Sequence, residues 1–172
     1  MKKILLMPLL CIAIISCAKN EEAKPKTVEI SNVAQKQNIE VPNPFIEVKT
    51  LDDASKIAGF SLEVPSAYES YKKQIIQTIE NDMIEVIYFD EELGFEGLRI
   101  RKAKGTYDIC GDYNEYPNIE TVKVRGYEVI EKGGGKNIFI ATWTDGKYSY
   151  AINTERAELN TKDIANLILN IK

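Results

Sequence analysis

The chain has 172 residues, of which 28% are charged, and its formal net charge is −4. An acidic chain is a poor match for nucleic acid or an anionic lipid surface, since both attract clustered lysine and arginine. The sequence contains no histidine, which excludes a Ser-His-Asp triad, a Cys-His pair and an imidazole metal site.

The chain opens with a segment typical of secretory signals. Lys2 and Lys3 give it a basic start, and an apolar run of about 12 residues follows from Ile4 to Ile15. That length lies within the ~7 to 15 residues of a secretory signal core and is shorter than the ~20 residues of a transmembrane helix. The sequence therefore predicts a signal peptide over residues 1–16.

The end of this segment is Ile14-Ile15-Ser16-Cys17, and it resembles the lipobox of bacterial lipoproteins. The resemblance implies a diacylglyceryl group on Cys17 and cleavage between Ser16 and Cys17. Two acyl chains anchor a protein stably, whereas one chain binds only reversibly. We therefore expect a lipoprotein held at the cell membrane through Cys17, on the extracytoplasmic face. The alternative is a buried apolar segment that carries a cysteine by chance.

Three cysteines are present, and they have different predicted fates. Cys11 leaves with the signal peptide and Cys17 is acylated, so that only Cys110 remains in the folded part. No intramolecular disulfide is then expected. A lone cysteine between Ile109 and Gly111 is more often a small packing residue than a nucleophile or redox group.

The mature chain divides into a tether and one domain. Residues 17–42 are rich in Lys, Glu, Asn and Gln and show no sustained apolar period, which is typical of a flexible tether. Its root-mean-square reach is roughly 25 to 30 Å. Residues 43–172 are enough for a single domain with an ordinary hydrophobic core.

Two segments have the pattern of amphipathic helices. Near the start of the domain, Thr50 and Asp53 have the spacing of a capping box, and Gly59 is a natural C-terminal stop. Near the end of the chain, Asn160 is a candidate N-cap, with Asp163 three residues later. The apolar stripes are Leu51, Ala54, Ile57 and Ala58 in the first segment, and Ile164, Leu167, Ile168 and Ile171 in the second.

Between these segments, apolar and polar residues alternate in several runs. Ile84, Val86 and Tyr88 give one example. Alternation with charge on one face is typical of half-buried antiparallel strands. Asp145-Gly146 stands between two such runs, and an Asp-Gly pair in this position is the strongest local signal for a hairpin.

The order helix, strands, helix predicts an α+β fold. We expect a curved antiparallel sheet of about six to eight strands, with a short N-terminal helix and a C-terminal helix packed on one face. The reason is that each helix has an apolar stripe, and the buried face of one sheet supplies its partner. The glycine string Gly133 to Gly135 is interpreted as a flexible hairpin tip, because a strand and not a helix follows it.

The segment from Gly105 to Tyr116 is the main candidate site. Asp108, Asp112 and Asn114 lie close together in it, and Tyr113 lies among them. Oxygen-rich loops can bind Ca²⁺, but this spacing is not that of an EF-hand, so these four residues are predicted as ligand-binding residues without a metal. The alternative is that the acidic and amide side chains form turns by bonding to their own backbone.

A basic stretch at the end of a strand comes directly before this loop, and it consists of Arg99, Arg101, Lys102 and Lys104. Arg99 and Arg101 are candidate contacts for an anionic group or a partner. The alternative is a solvated strand face that neutralises the loop carboxylates, since exposed ion pairs of this kind are common and individually weak.

Longer parts of the domain resemble a known family. They are the run Asn43 to Ile46 and the stretches IRKAKGTYDICGDYNEY, from Ile100, and TWTDGKYSY, from Thr142. They are similar to a domain-of-unknown-function family of Gram-positive secreted proteins and lipoproteins, which also forms the extracytoplasmic end of some regulatory membrane proteins. The resemblance covers residues 43–172 and implies an α+β fold distantly similar to the half-barrels of lipoprotein carriers and envelope-stress regulators. It implies no catalytic residues.

These features favour a membrane-anchored, extracytoplasmic and non-enzymatic domain that binds a protein, peptide, lipid or wall component. Two alternatives stay open. One is a hydrolase that uses Asp108 and Asp112 on envelope material, and the other is a sensing module read by a neighbouring membrane protein. No cofactor is expected in any of the three.

Overall fold

The structure is a computed structural model that describes residues 42–154 and 158–172. These residues belong to one compact unit, Val41–Lys172. The predicted signal peptide, Cys17 and nearly all of the tether lie outside the described residues and stay predictions. Within the described part, no helix is long and apolar enough to cross a membrane.

One antiparallel sheet of eight strands forms the framework of the domain. The strands are β1 (Ile46–Val48), β2 (Lys73–Ile79), β3 (Met83–Asp90), β4 (Phe95–Lys104), β5 (Asn118–Val124), β6 (Tyr127–Gly134), β7 (Asn137–Thr144) and β8 (Tyr148–Thr154). Their order in the sheet is β1-β2-β3-β4-β8-β7-β6-β5, and every neighbouring pair is antiparallel. The predicted antiparallel sheet is confirmed, and its eight strands lie at the upper end of the expected number.

Two short helices accompany the sheet. They are α1 (Leu51–Ala58) and α2 (Thr161–Leu169). The Thr50 side chain accepts the N–H of Asp53 at the start of α1, and Gly59 ends this helix with a φ of 78°. Asn160 and Asp163 form a capping box at the start of α2. Strand residues far outnumber helical residues, so the domain is richer in β structure than an even α+β layout.

Alternation along the central strands directs one side of the sheet into the main core. In β3, Ile84, Val86 and Tyr88 are fully buried there, as the sequence pattern predicts. Ala54 of α1 and Ile164 of α2 belong to the same core cluster. Helices this short are marginal alone, whereas each large apolar side chain buried in the core contributes about 1.5–3 kcal/mol. Core packing therefore holds both helices.

The hairpin between β7 and β8 turns at the Asp-Gly pair, as predicted. The Asp145 Oδ1 atom accepts the N–H groups of Lys147 (2.8 Å) and Tyr148 (2.7 Å), and Gly146 has a φ of 91°. The side chain thus stabilises the turn through its own backbone, in the way that Asp commonly does.

The connection from β4 to β5 does not follow the local pairing of the other strands. In the sheet, β8, β7 and β6 separate β4 from β5. The chain between Lys104 and Asn118 must therefore cross three strands before β5 begins. We call residues 105–117 the crossing loop, and this loop contains the Asp-rich segment identified in the sequence.

Candidate functional site

The crossing loop packs on the side of the sheet that faces away from the main core. Ile109 and Cys110 are buried against Ala103, Ile140 and Ala151 in a second, smaller cluster. In β8, Ala151 belongs to the smaller cluster, and the next residue, Ile152, belongs to the main core. Because successive side chains of a strand point to opposite faces, the crossing loop and the main core lie on opposite faces of the sheet. Burial raises the pKa of the Cys110 thiol, which disfavours the reactive thiolate and fits the predicted packing role.

Arg101 holds the middle of the crossing loop. Its Nη1 atom donates to the backbone oxygens of Ile109 (3.0 Å) and Cys110 (2.6 Å), and its Nε atom donates to Glu85 Oε2 (2.5 Å). A Cβ atom on Gly111 would lie 2.6 Å from the same Nη1 atom. The guanidinium is buried, so Arg101 supports the loop from below and is not an exposed contact.

Arg99 takes part in the same network of charges. It forms a two-pronged pair with Glu96, at 2.8 Å and 2.5 Å, and its Nη1 atom lies 3.5 Å from Glu85 Oε2. The two arginines therefore pair with carboxylates of β3 and β4, and not with Asp108 and Asp112 as the neutralising interpretation expected.

Lys102 directly follows Arg101 in sequence but lies on the other face of the sheet. Its Nζ atom donates to the Ser61 backbone oxygen (2.7 Å) and lies 4.8 Å and 5.4 Å from the ring centres of Tyr148 and Tyr150. Burial lowers the pKa of Lys102. The basic stretch is thus divided between two environments and does not form one basic patch.

Asp108 is used in the local structure of the loop. Its Oδ1 atom accepts the Cys110 N–H (2.9 Å), and its Oδ2 atom lies 3.0 Å from Lys132 Nζ. Burial alone would raise the pKa of Asp108, but the hydrogen bonds from Cys110 and Lys132 outweigh it and hold the pKa below its ordinary value. The carboxylate stays ionised and supports one end of the turn.

Asp112 plays a similar part four residues later. Its Oδ1 atom accepts the Asn114 N–H (2.7 Å), and its Oδ2 atom accepts the Tyr116 hydroxyl (2.8 Å). Tyr113 is almost fully exposed and Asn114 is exposed. No cluster of three or more possible Asp, Glu or Cys ligands for a metal occurs in residues 42–154 and 158–172. Asp108 and Asp112 thus each accept a backbone N–H from their own turn, as the turn-forming alternative predicts.

A groove of about 310 Å³ opens beside the first part of the crossing loop. Tyr107 and Asp108 line it on the loop side, and Thr121, Ile130 and Thr142 line it on the sheet side. Tyr107 and Ile130 are 53% and 41% exposed, so large apolar surface faces solvent here. We call this feature the Tyr107 groove.

A smaller cleft of about 150 Å³ lies beside the second part of the loop. It brings Arg99 and Asp112 together with Asn153. The Asn153 Nδ2 atom donates to the Cys110 backbone oxygen (3.0 Å), and its Oδ1 atom is buried without a hydrogen-bond partner in the described part of the chain. The cleft is polar and narrow, with room for little more than a few water-sized groups.

The predicted site residues are therefore distributed around the loop and do not converge on one point. Asp108 lines the Tyr107 groove, Arg99 and Asp112 line the small cleft, and Arg101 lies buried beneath the loop. Tyr113 and Asn114 line neither cavity. The sequence prediction missed Ile130, although its place beside buried Val129 in an alternating strand marks it as a residue of the outer face.

Comparison with known proteins adds no assignment to this geometry. No family model, curated protein or solved structure matches the chain. The functional argument therefore depends on the residues and cavities described above.

Proposed function

We propose that this protein is a membrane-tethered, extracytoplasmic and non-enzymatic module whose Tyr107 groove binds an extended peptide segment of an envelope protein. The observation that carries the proposal is the groove itself, where exposed Tyr107 and Ile130 lie beside threonine hydroxyls. A concave, mostly apolar surface with a few polar groups is the usual form of a binding site.

The groove reaches the edge of the sheet through Thr121 of β5, and this favours an extended ligand. β5 is the last strand in the sheet order and has a neighbouring strand on one side only in the described part of the chain. Ile119 of β5 is 63% exposed and lies diagonally across from Ile130 on the same face. A peptide that adds to a sheet edge gains main-chain hydrogen bonds there and places alternate side chains in adjacent pockets.

We further infer that both helices cover the face of the sheet opposite the crossing loop, as the sequence predicted. In support of this, Ala54 and Ile164 share the main core with Ile84, whereas the loop packs with Ala103 and Ala151. No helix of residues 42–154 and 158–172 then covers the face that carries the Tyr107 groove, so this face offers a surface to a partner.

The roles of the two loop aspartates make the rival hydrolase less favourable. Each carboxylate accepts hydrogen bonds within its own turn, whereas a general acid or base must reach a bound substrate. If the protein is a hydrolase, the wild type must turn over wall, glycan or ester substrates faster than a variant that carries Asp108→Asn and Asp112→Asn. Such turnover would replace the binding proposal.

Binding at the groove is tested by selecting extended peptides from a display library against the full-length chain. Ile130→Lys is expected to lower the affinity for the selected peptides at least about tenfold, because the loss of ~1.4 kcal/mol of apolar contact corresponds to that factor. Ile46→Lys is the matched control, since Ile46 is 47% exposed on the opposite edge strand. Equal affinities of the two variants, measured by titration calorimetry, would place the peptide elsewhere.

Anchoring through Cys17 is the part of the proposal that comes from the sequence. We expect metabolic labelling with a fatty acid in a lipoprotein-processing bacterium to disappear in Cys17→Ala, because the acceptor thiol is lost. Cys11→Ala is the matched control and should keep the label, since this cysteine leaves with the signal. Label that persists in Cys17→Ala contradicts lipidation at this residue.

A further inference from the structure

A larger cavity of about 470 Å³ lies at the start of α2 and is separate from the Tyr107 groove. Glu131 of β6, Glu120 of β5 and the first residues of α2 line it. Glu131 follows Ile130 in the strand, so its side chain points to the other face of the sheet. We call this feature the Glu131 cavity.

Glu131 is an unusual residue for the interior of this domain. Its side chain is only 2% exposed. The Thr161 hydroxyl donates to its Oε2 atom at 2.7 Å, whereas its Oε1 atom is buried with no hydrogen-bond partner in the described part of the chain. A buried carboxylate oxygen without a donor is costly, and such groups are few in native proteins. One oxygen of the Glu131 carboxylate, in the wall of the cavity, therefore lacks a donor.

A second carboxylate faces the first across the two strands. Glu120 pairs directly with Glu131 in the β5–β6 register, and directly opposite side chains in antiparallel strands have Cβ atoms about 4.5–5.5 Å apart. Burial, followed by the charge of Glu120, raises the pKa of Glu131, and the hydrogen bond from Thr161 opposes this shift. A positively charged donor placed between the two carboxylates would relieve both the missing hydrogen bond and the repulsion.

The rest of the lining indicates what kind of cation fits. Asn118 donates its amide N–H to the Gly135 backbone oxygen (3.2 Å), which leaves its own oxygen as a further acceptor in the cavity. Lys136 and Lys162 also line the cavity, and α2 directs the positive end of its dipole toward it. These charges disfavour a bare divalent ion but suit a molecule with an anionic end. The volume is also far larger than one ion requires.

We infer that the Glu131 cavity binds a small zwitterion of the amino-acid class, with its ammonium group donating to Glu131 Oε1 and to the Glu120 carboxylate. Its carboxylate lies toward Lys136 and Lys162. Charge-assisted hydrogen bonds of this kind are about twice as strong as neutral ones. This site is independent of the proposed peptide groove, because its residues lie on the other face of the β5–β6 pair.

The test is a thermal-shift screen of the full-length chain in detergent. The probes are the standard L-amino acids, with methylammonium chloride, sodium acetate and calcium chloride as single-charge and metal controls. At least one amino acid is expected to raise the Tm with a concentration dependence that follows mass action. Methylammonium and acetate each offer only half of the contacts and should give smaller shifts.

Two variants and one control locate the effect. Glu131→Gln and Glu120→Gln should each lower the affinity for the amino acid that raises the Tm by at least about tenfold, since one charged hydrogen bond contributes about that factor. Glu120 is exposed, so its replacement should not disturb the fold. Glu128→Gln, on the opposite face of β6, should keep the full shift. No shift with any amino acid, a shift with calcium chloride alone, or an unchanged shift in both cavity variants would overturn the inference.

The pH dependence of stability gives a second readout that needs no ligand. The pKa of Glu131 is raised in the fold above its ordinary value of 4.5. At a pH between the ordinary pKa and the raised pKa, the native state therefore binds more protons than the unfolded state. Wild-type stability should therefore fall as the pH rises through this window. Glu131→Gln should lack this fall, and an active amino acid should reduce it in the wild type. An identical pH profile for wild type and Glu131→Gln would overturn the assignment of a buried, unpartnered carboxylate to the cavity.

Discussion

Replacing Arg101 by methionine is expected to lower the free energy of unfolding by about 3–5 kcal/mol, the usual cost of breaking a buried ion pair. Glu85 is 2% exposed and would lose its closest partner. The backbone oxygens of Ile109 and Cys110 would lose their donor as well. Because Arg99 Nη1 also lies 3.5 Å from Glu85, the loss should fall toward the lower end of this range.

Urea unfolding of matched variants measures this effect. Arg125→Met, at an exposed turn between β5 and β6, removes the same charge and should change stability by less than about 1 kcal/mol. The double variant Glu85→Gln with Arg101→Met should recover part of the loss, since the uncompensated charge is then gone. A loss below about 1 kcal/mol for Arg101→Met would mean that the crossing loop does not depend on this guanidinium.

The crossing loop itself should respond in the same variant. With Arg101 replaced, we expect limited proteolysis within residues 105–117 to become faster than in wild type, because local opening exposes a segment that has lost its buried hydrogen bonds. Arg125→Met should be cleaved at the wild-type rate. Cleavage that begins elsewhere would show that the variant unfolds globally before the loop opens.

Gly133→Ala is expected to lower the free energy of unfolding by about 3 kcal/mol, the upper part of the usual range for an inserted methyl group. A Cβ atom at Gly133 would lie 2.0 Å from the Asn137 backbone oxygen and 3.0 Å from the Ile138 Cα atom. The register between β6 and β7 shifts at this point. Backbone atoms cannot rotate away as a side chain can, so the hairpin must move.

The next glycine in the strand provides a close control. A Cβ atom at Gly134 would lie 3.6 Å from Pro117 Cγ, which is an ordinary contact. Gly134→Ala should therefore change stability by less than about 1 kcal/mol, with a small gain possible from reduced freedom of the unfolded chain. Thermal unfolding followed by circular dichroism measures both variants. Similar Tm values for the two would contradict the close approach of the Asn137 backbone to Gly133.

Local sequence signals predicted the elements of this fold well. The alternation of Ile84, Val86 and Tyr88 indicated a strand with one buried side, and these residues are fully buried. Asp145-Gly146 indicated the β7–β8 hairpin because an Asp side chain can bond to its own turn. These signals succeed because the forces behind them act between residues a few positions apart.

The candidate site shows where local signals stop. Asp108 and Asp112 were found as a concentration of oxygen ligands, but their hydrogen bonds go to their own loop. Arg101 looked like an exposed contact, and its burial depends on Glu85, which lies sixteen positions earlier in a neighbouring strand. The glycine string was interpreted as a flexible tip, whereas Gly133 belongs to β6 and has no room for a side chain.

By itself, the sequence determined the alternating strands, the helix caps, the β7–β8 turn and the prediction of an anchor at Cys17, since each depends on neighbouring residues alone. Only the tertiary structure decided that β4 pairs with β8, which forces residues 105–117 across three strands. That crossing creates the Tyr107 groove, and the pairing of β5 with β6 brings Glu120 to Glu131. Strand order is a balance of many distant contacts against the entropy of closing long loops, and no short pattern in a chain records that balance.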